Sequence, residues 1–415
     1  MFTCSGDPCF AKLGSYVYFG GGLLGDYELW RTDGTNAGTK LVKNISASLP
    51  SSPGHFVTVG TWVYFTAASD GITPQLWRTN GSTTTQITHL SSTMDGTGNP
   101  SIDHLTRLGS SVYFTATVFP YGAELWKVSG TTATMVDDIV VGGVGSAPSL
   151  LTAVGSTLYF VAADTTHGAE VWRTKGSTSS TWMVADVSPG SGSPQASEIA
   201  GFGGKTYVAL KDPNNLLPIR GLDVVSSDDR GLEELNDATQ SSTAHLTSTS
   251  SYLLFSAFGQ SGDGIELWRT DGTPLGTQEV ADIAPGNTSS NPSQLVRNGS
   301  STYFLVDYPT AAGAIYKTNG TSVALAFPAT TLDGTVVGVD TPPSFDHLVA
   351  AGGKTFFGAY THNHSFELWD TDGVHVTRLS NLVDTEVSGY PAPLFTINSR
   401  VFFYTDDSRL WSASY

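Results

Sequence analysis

The sequence predicts an all-β repeat fold, a single closed β-propeller of nine four-stranded blades spanning 1–415. Three observations carry this: a Trp-centred motif returns at near-constant spacing, each copy alternates β-rich runs with glycine turns, and no stretch of useful length has helical periodicity. The string Glu28-Leu29-Trp30-Arg31-Thr32-Asp33-Gly34-Thr35 returns almost unchanged as Glu266-Leu267-Trp268-Arg269-Thr270-Asp271-Gly272-Thr273. Looser copies surround Trp77, Trp126, Trp172, Trp369 and Trp411, and Val225 and Tyr316 take the Trp slot in two degenerate copies. Eight intervals separate Trp30 from Trp411, about 48 residues each, the size of a four-stranded blade.

Each copy reads as four strands in order. The first ends at a tight turn, Gly14-Ser15, Gly60-Thr61, Gly109-Ser110, Gly155-Ser156, Gly203-Gly204 or Gly352-Gly353, where glycine reaches positive φ without strain. The second carries dense aromatic and β-branched residues, as in Val17-Tyr18-Phe19, Val63-Tyr64-Phe65 and Val401-Phe402-Phe403, the composition of a strand covered on both faces. The third holds the Trp. Asp33-Gly34, Asn80-Gly81, Asp271-Gly272, Asn319-Gly320 and Asp372-Gly373 then supply hairpin turns, leading to a fourth strand such as Lys40 to Ile45 or Gln278 to Ile283.

The ninth copy stops after its third strand at Tyr415, so Met1 to Cys4 are candidates for the missing outer strand, with a three-stranded last blade as the alternative. The only cysteines, Cys4 and Cys9, form either a small local bridge or two free thiols. With 37 acidic against 20 basic residues and no Lys/Arg cluster, the chain lacks the positive footprint that phosphates need, which argues against nucleic acid and anionic membrane surfaces. No run of about 18 apolar residues exists to span a bilayer, and residues 1–9 lack the apolar core of a signal peptide; an exported protein would have lost its signal already.

The repeated Glu stands two residues before the Trp, on the same face of a strand. Glu28, Glu124, Glu170, Glu266 and Glu367 keep it, while Gln75, Ala314 and Arg409 replace it. A ring of metal ligands would not survive such replacement, so these carboxylates are read as acceptors for backbone or Thr groups of the adjoining blade. The turn Asp and Asn residues, and the sequons at Asn80 and Asn319, are explained by local bonding in turns. Calcium has a better case at Asp70, Asp164 and Asp263, which recur in the loop before the Trp strand, although turn chemistry is preferred there too and no cofactor is otherwise expected. His362 and His364 offer two metal-type ligands without a visible third.

The eight-residue motif, with Asp282-Ile283-Ala284-Pro285-Gly286 and His167-Gly168-Ala169-Glu170-Val171-Trp172, closely resembles the ELWxxDGT repeat proteins of bacteria over the whole chain. The resemblance implies propeller-like repeats in an exported or surface-attached protein, and it brings no catalytic residue to carry over.

No nucleophile elbow, His-Glu-x-x-His or phosphate-cradling loop is present. The aromatics Tyr27, Phe119, Tyr121, Tyr308 and Tyr360, expected in loops between the second and third strands, point instead to recognition of glycans or surface proteins. The resulting expectation is a non-catalytic, monomeric, exported binding propeller. A polysaccharide hydrolase or lyase using paired carboxylates, and a structural module of a longer surface protein, are the alternatives.

Overall fold

The computed structural model describes residues 9–23, 26–90, 100–187, 190, 192–193, 195–211, 222–225, 231–235, 239–259, 262–306, 314–327, 346–361, 364–380, 392–405 and 410–415. Among them are nine antiparallel meander sheets, eight of four strands and one of three, the blades of a nine-bladed β-propeller. The one helical turn among the described residues is the 3-10 segment Thr178–Ser180.

The chain divides into two compact units, Met1–Pro194 with Ser227–Gly231, and Gln195–Ser226 with Leu232–Tyr415. The first holds blades 1–4, whose first strands are Phe10–Leu13, Gly54–Val59, Ser101–Leu108 and Ser149–Val154. The second holds blades 5–9, starting at Gln195–Phe202, Thr239–Ser248, Ser293–Asn298, Asp346–Ala351 and Ala392–Ile397. Within each unit the first strands of consecutive blades lie side by side, so the first strand is the innermost and the fourth the outermost.

Packing between blades follows from the second and third strands. Val17, Tyr18 and Phe19 are all buried, as a strand covered on both faces requires. Trp77 of blade 2 packs on Tyr18 and Leu29 of blade 1, and Trp268 of blade 6 on Tyr207, Leu222 and Val224 of blade 5. The repeat Trp therefore fills the seam between adjoining blades, which no blade can cover alone.

Two features differ from expectation. Fourth strands are shorter, Lys40–Lys43 and Gln278–Ala281, because the next N–H groups leave the ladder for a buried carboxylate described below. In blade 5 the Trp slot belongs to Asp223 rather than Val225: Val208 pairs with Asp223 as Phe19 pairs with Trp30. Average spacing does not detect a shift of two residues in a copy that has lost its motif, and Asp223 is wholly buried there.

The inner strands carry a repeated irregularity. A register shift separates them from the second strand in blades 2 to 9, and His55, His104, Leu150, His245 and Gln294 adopt positive φ near it. Such bulges turn backbone N–H groups away from their own ladder. In blade 6 the N–H groups of His245 and Leu246 donate to the Glu198 carboxylate of blade 5, each at 2.7 Å, and Leu348 of blade 8 donates to Gln294 of blade 7 at 3.0 Å. The histidines are thus explained by backbone geometry, which His tolerates better than most residues.

Blade 9 has three strands among the described residues, ending in Leu410–Ser414, with Trp411 in the third. Met1 to Cys4, the expected closing strand, lie outside the described residues. Cys9 is disulfide-bonded, and Cys4 falls outside the described part.

Candidate functional site

Antiparallel connectivity sorts the loops into two ends. The turns between strands one and two and between strands three and four share one end, while the loops between strands two and three and the blade-to-blade connections share the other.

The motif works at both ends, and its polar groups are consumed there. Glu266, fully buried, accepts the N–H groups of Ile283 (3.0 Å) and Ser290 (3.1 Å) and the Ser290 hydroxyl (2.5 Å). Glu124 takes Val140 N–H, Ser146 N–H and the Ser146 hydroxyl in the same way; Glu28 takes Ile45 N–H and the Ser51 hydroxyl. Backbone donors are as expected, but they and the Ser hydroxyls belong to the segment leaving the same blade, where backbone or Thr groups of the adjoining blade are the expectation. The carboxylate therefore ends the fourth strand and shapes the connection, which explains why Gln75 substitutes in blade 2: its oxygen accepts Leu90 N–H at 2.8 Å. Burial pushes the Glu124 and Glu266 carboxyls up despite these bonds.

At the opposite end, the Asp of Asp-Gly-Thr closes its own turn, with Asp271 Oδ1 accepting Thr273 N–H (2.9 Å) and hydroxyl (2.7 Å). The glycine has a second duty. Gly272 holds φ +93, and a Cβ built there would stand 2.7 Å from the Tyr207 hydroxyl of the preceding blade. Gly81, Gly176 and Gly373 meet Tyr18, Tyr113 and Tyr303 in the same manner. Their carbonyls accept a cation from that blade: Lys205 to Gly272 at 3.0 Å, Lys317 to Gly373 at 2.9 Å and Arg269 to Gly320 at 2.9 Å. This latch between blades is the role of the basic residue after the Trp slot in blades 1, 3, 6 and 7 and of Lys205 on the second strand of blade 5, a contact that local turn propensity does not reveal.

The loops proposed for calcium close on themselves. Asp70 Oδ1 accepts the N–H groups of Ile72 (2.9 Å) and Thr73 (2.7 Å). Asp164 Oδ1 accepts Thr166 and His167 N–H, while Oδ2 meets His167 Nδ1 at 2.8 Å. Burial opposes ionisation of Asp164, but the bonds from His167 and Thr166 prevail and hold it down at about 2; its carboxylate in turn raises His167. Asp263 stands in an acidic neighbourhood where burial and then the charges of Asp263, Glu266 and Asp282 push Glu279 up to about 7. No group of three or more His, Cys, Asp or Glu arranged to hold a metal occurs among the described residues. His362 lies outside them, and His364 opens the strand His364–Thr371.

Of the expected recognition aromatics, Phe119 and Tyr121 are exposed together at the tip of blade 3. Tyr27 belongs to the strand Asp26–Thr32 rather than to a loop and is half-buried, with its carbonyl taken by the N–H groups of Ser51 and Ser52. Tyr308 lies outside the described residues. Tyr360 belongs to the strand Lys354–Thr361 rather than to a loop, and its side chain is not among those described.

The tip of blade 3 contains a feature not anticipated from sequence. The Phe119–Tyr121 loop interlocks with the connection leaving the blade: Ala123 bridges Gly145, Ala147 N–H donates to the Ala123 carbonyl at 3.0 Å, and a Cβ on Gly122 would fall 2.5 Å from the Val144 carbonyl carbon. This projects Val141 (84% exposed) and Val144 (85%) beside Phe119 (65%). At the same end of blade 2, Ile72 and Leu49 are exposed as well. The run Val140-Val141-Gly142-Gly143-Val144 replaces the polar Ala284-Pro285-Gly286-Asn287-Thr288 of blade 6; reading the copies against one another at this connection would have found it.

No family model matches the chain, and no curated protein does either. Among solved structures, puromycin hydrolase is similar at 14% identity and TM-score 0.45, covering 84% of this chain and 58% of that one. The β-propeller domain of the Trilobed protease from Pyrococcus furiosus gives 12% identity and TM-score 0.41, covering 80% and 99%. A structure from a study of two prolyl endopeptidases gives 11% and 0.47, covering 87% and 53%. The chain thus spans little more than half of the first and last of these, and likenesses this distant carry no argument about activity.

Proposed function

We propose that this chain is a non-catalytic, exported binding propeller that recognises a glycan or surface protein through its loop end in blades 2 to 4. The observation behind this reading is the contrast between the recurring motif carboxylates and two aromatics that only blade 3 carries. The motif carboxylates are buried and bonded to the chain's own backbone, whereas the aromatics Phe119 and Tyr121 stand exposed. Asp70 and Asp164 hold the equivalent loops of the flanking blades in closed turns, and exposed aromatic faces such as those of Phe119 and Tyr121 are what sugar rings stack on. The resemblance to ELWxxDGT repeat proteins supports a surface setting.

A second reading, a polysaccharide hydrolase, draws support from Glu279, a carboxyl pushed to about 7 among other acids, as a general acid requires. A glycan-array screen with and without calcium, followed by turnover assays on any hit, separates the two. Binding lost in Tyr121→Ala without turnover supports the first reading; turnover lost in Glu279→Gln supports the second and removes the first.

A further inference from the structure

The binding reading accounts for Tyr121 and leaves the two valines unexplained. Val141 and Val144 lie on a connection with no Asp, Glu, Lys or Arg between residues 139 and 149, and the facing loop has none from 117 to 123. The one hydrogen-bonding side chain on the connection between them and the next strand, Ser146, is buried against Glu124. A sugar at the valines would have no charged side chain to meet, and the one polar side chain of their own connection is already bonded to Glu124. The two loops together hold about fourteen residues, short of the roughly 20–30 per side of a standard protein interface, so a second copy of the chain would find too little area for a stable dimer. What remains suited to a small, uncharged, rigidly held and outward-pointing apolar tip is a medium that rewards insertion rather than area.

We propose that the tip of blade 3 is a membrane-contact site that seats Phe119, Val141 and Val144 in the interface of a zwitterionic lipid bilayer. The proposal rests on the loop end being the binding end, and adds to it a partner of different chemistry. The Ala123–Gly145 bridge and the Ala147 to Ala123 hydrogen bond tie the two loops to each other, which limits the backbone ordering needed on insertion. Ile72, in the equivalent loop of blade 2, and Leu49, on the connection into that blade, are further exposed apolar side chains of the loop end. The net charge of −17 opposes anionic lipid, which sets the expected selectivity.

Flotation of the whole chain with palmitoyl-oleoyl phosphatidylcholine vesicles tests this. Binding is expected to be weak but measurable, weaker still on phosphatidylglycerol, and reduced about tenfold or more by Val141→Ser with Val144→Ser, or by Phe119→Ser. Leu275, 95% exposed at the opposite end of blade 6, is the control: Leu275→Ser should leave flotation unchanged, and thermal melts verify that every variant folds. Absence of flotation, preference for phosphatidylglycerol, or an equal effect of Leu275→Ser overturns the proposal. So does a concentration-dependent dimer in sedimentation that the valine variants abolish, which would give the tip to a second copy. Tyr121-dependent glycan binding without flotation would sink the lipid site and leave the binding reading standing, whereas loss of both would remove the two together.

Discussion

Blades 6 and 3 share the Glu-Leu-Trp motif and the same carboxylate anchor, yet they spend their connections differently. In blade 6 the segment between Glu266's donors Ile283 and Ser290 is Ala284-Pro285-Gly286-Asn287-Thr288-Ser289, in which Asn287 faces water and Thr288 is half-buried. In blade 3 the identical anchor, Glu124 holding Val140 and Ser146, spans a run that projects two valines into solvent. The lesson is that the motif fixes where the connection leaves and returns, and the residues between are free to vary without loss of the blade. Repetition therefore protects the scaffold, and the connections are free to depart from the repeat.

The largest test of that division is at the seam. Trp268→Ala removes a side chain 5% exposed and should cost about 3–5 kcal/mol in denaturant unfolding. A loss below about 1 kcal/mol would mean the repeat Trp does not fill the seam.

Gly272→Ala comes next, because it combines strain at φ +93 with approach to the Tyr207 hydroxyl; about 2–3 kcal/mol is expected. The comparison sharpens in a double mutant. Tyr207→Phe removes the atom met by the new Cβ, so Gly272→Ala should cost measurably less in that background. Equal costs would assign the whole effect to backbone strain.

Glu266→Ala should cost about 1–3 kcal/mol by leaving buried donors unsatisfied, and Glu266→Gln less, as Gln75 shows for blade 2. Its pH dependence has a definite sign. Burial raises the folded-state carboxyl above its ordinary 4.5, so the contribution is full below that value and lost as pH rises through the raised one. Unfolding measured across that range should show a stability loss toward neutral pH that is smaller in Glu266→Gln. Asp164 runs the other way: held at about 2 against an ordinary 3.8, its contribution is present above the ordinary value and lost on acidification toward 2. Asp164→Asn should flatten that acid limb.

The smallest effect belongs to the other side of the comparison. Val141→Ser and Val144→Ser should change stability by no more than about 0.5 kcal/mol each, as exposed positions do. A substantial loss would show that these side chains support the blade, and the contrast with blade 6 would disappear.

The number of copies, the four strands of the first eight and the third-strand position of the Trp were legible in the sequence, because alternation, turn glycines and repeat spacing are local properties that survive without knowledge of neighbours. Phe119 and Tyr121 were legible as exposed for the same reason, lying in a loop of readable length. What only the tertiary structure decided are contacts between segments far apart in sequence. The donors to Glu266 lie 17 to 24 residues downstream, and Tyr207 reaches a glycine in the following blade. Asp223 rather than Val225 fills the Trp slot because cross-strand register, not average spacing, assigns partners. The outward turn of Val141 and Val144, beside a buried Val140, depends on the interlock of Gly122 with Val144. Hydropathy alone counts three valines as core, because the direction of a side chain in a connection is set by what the backbone packs against.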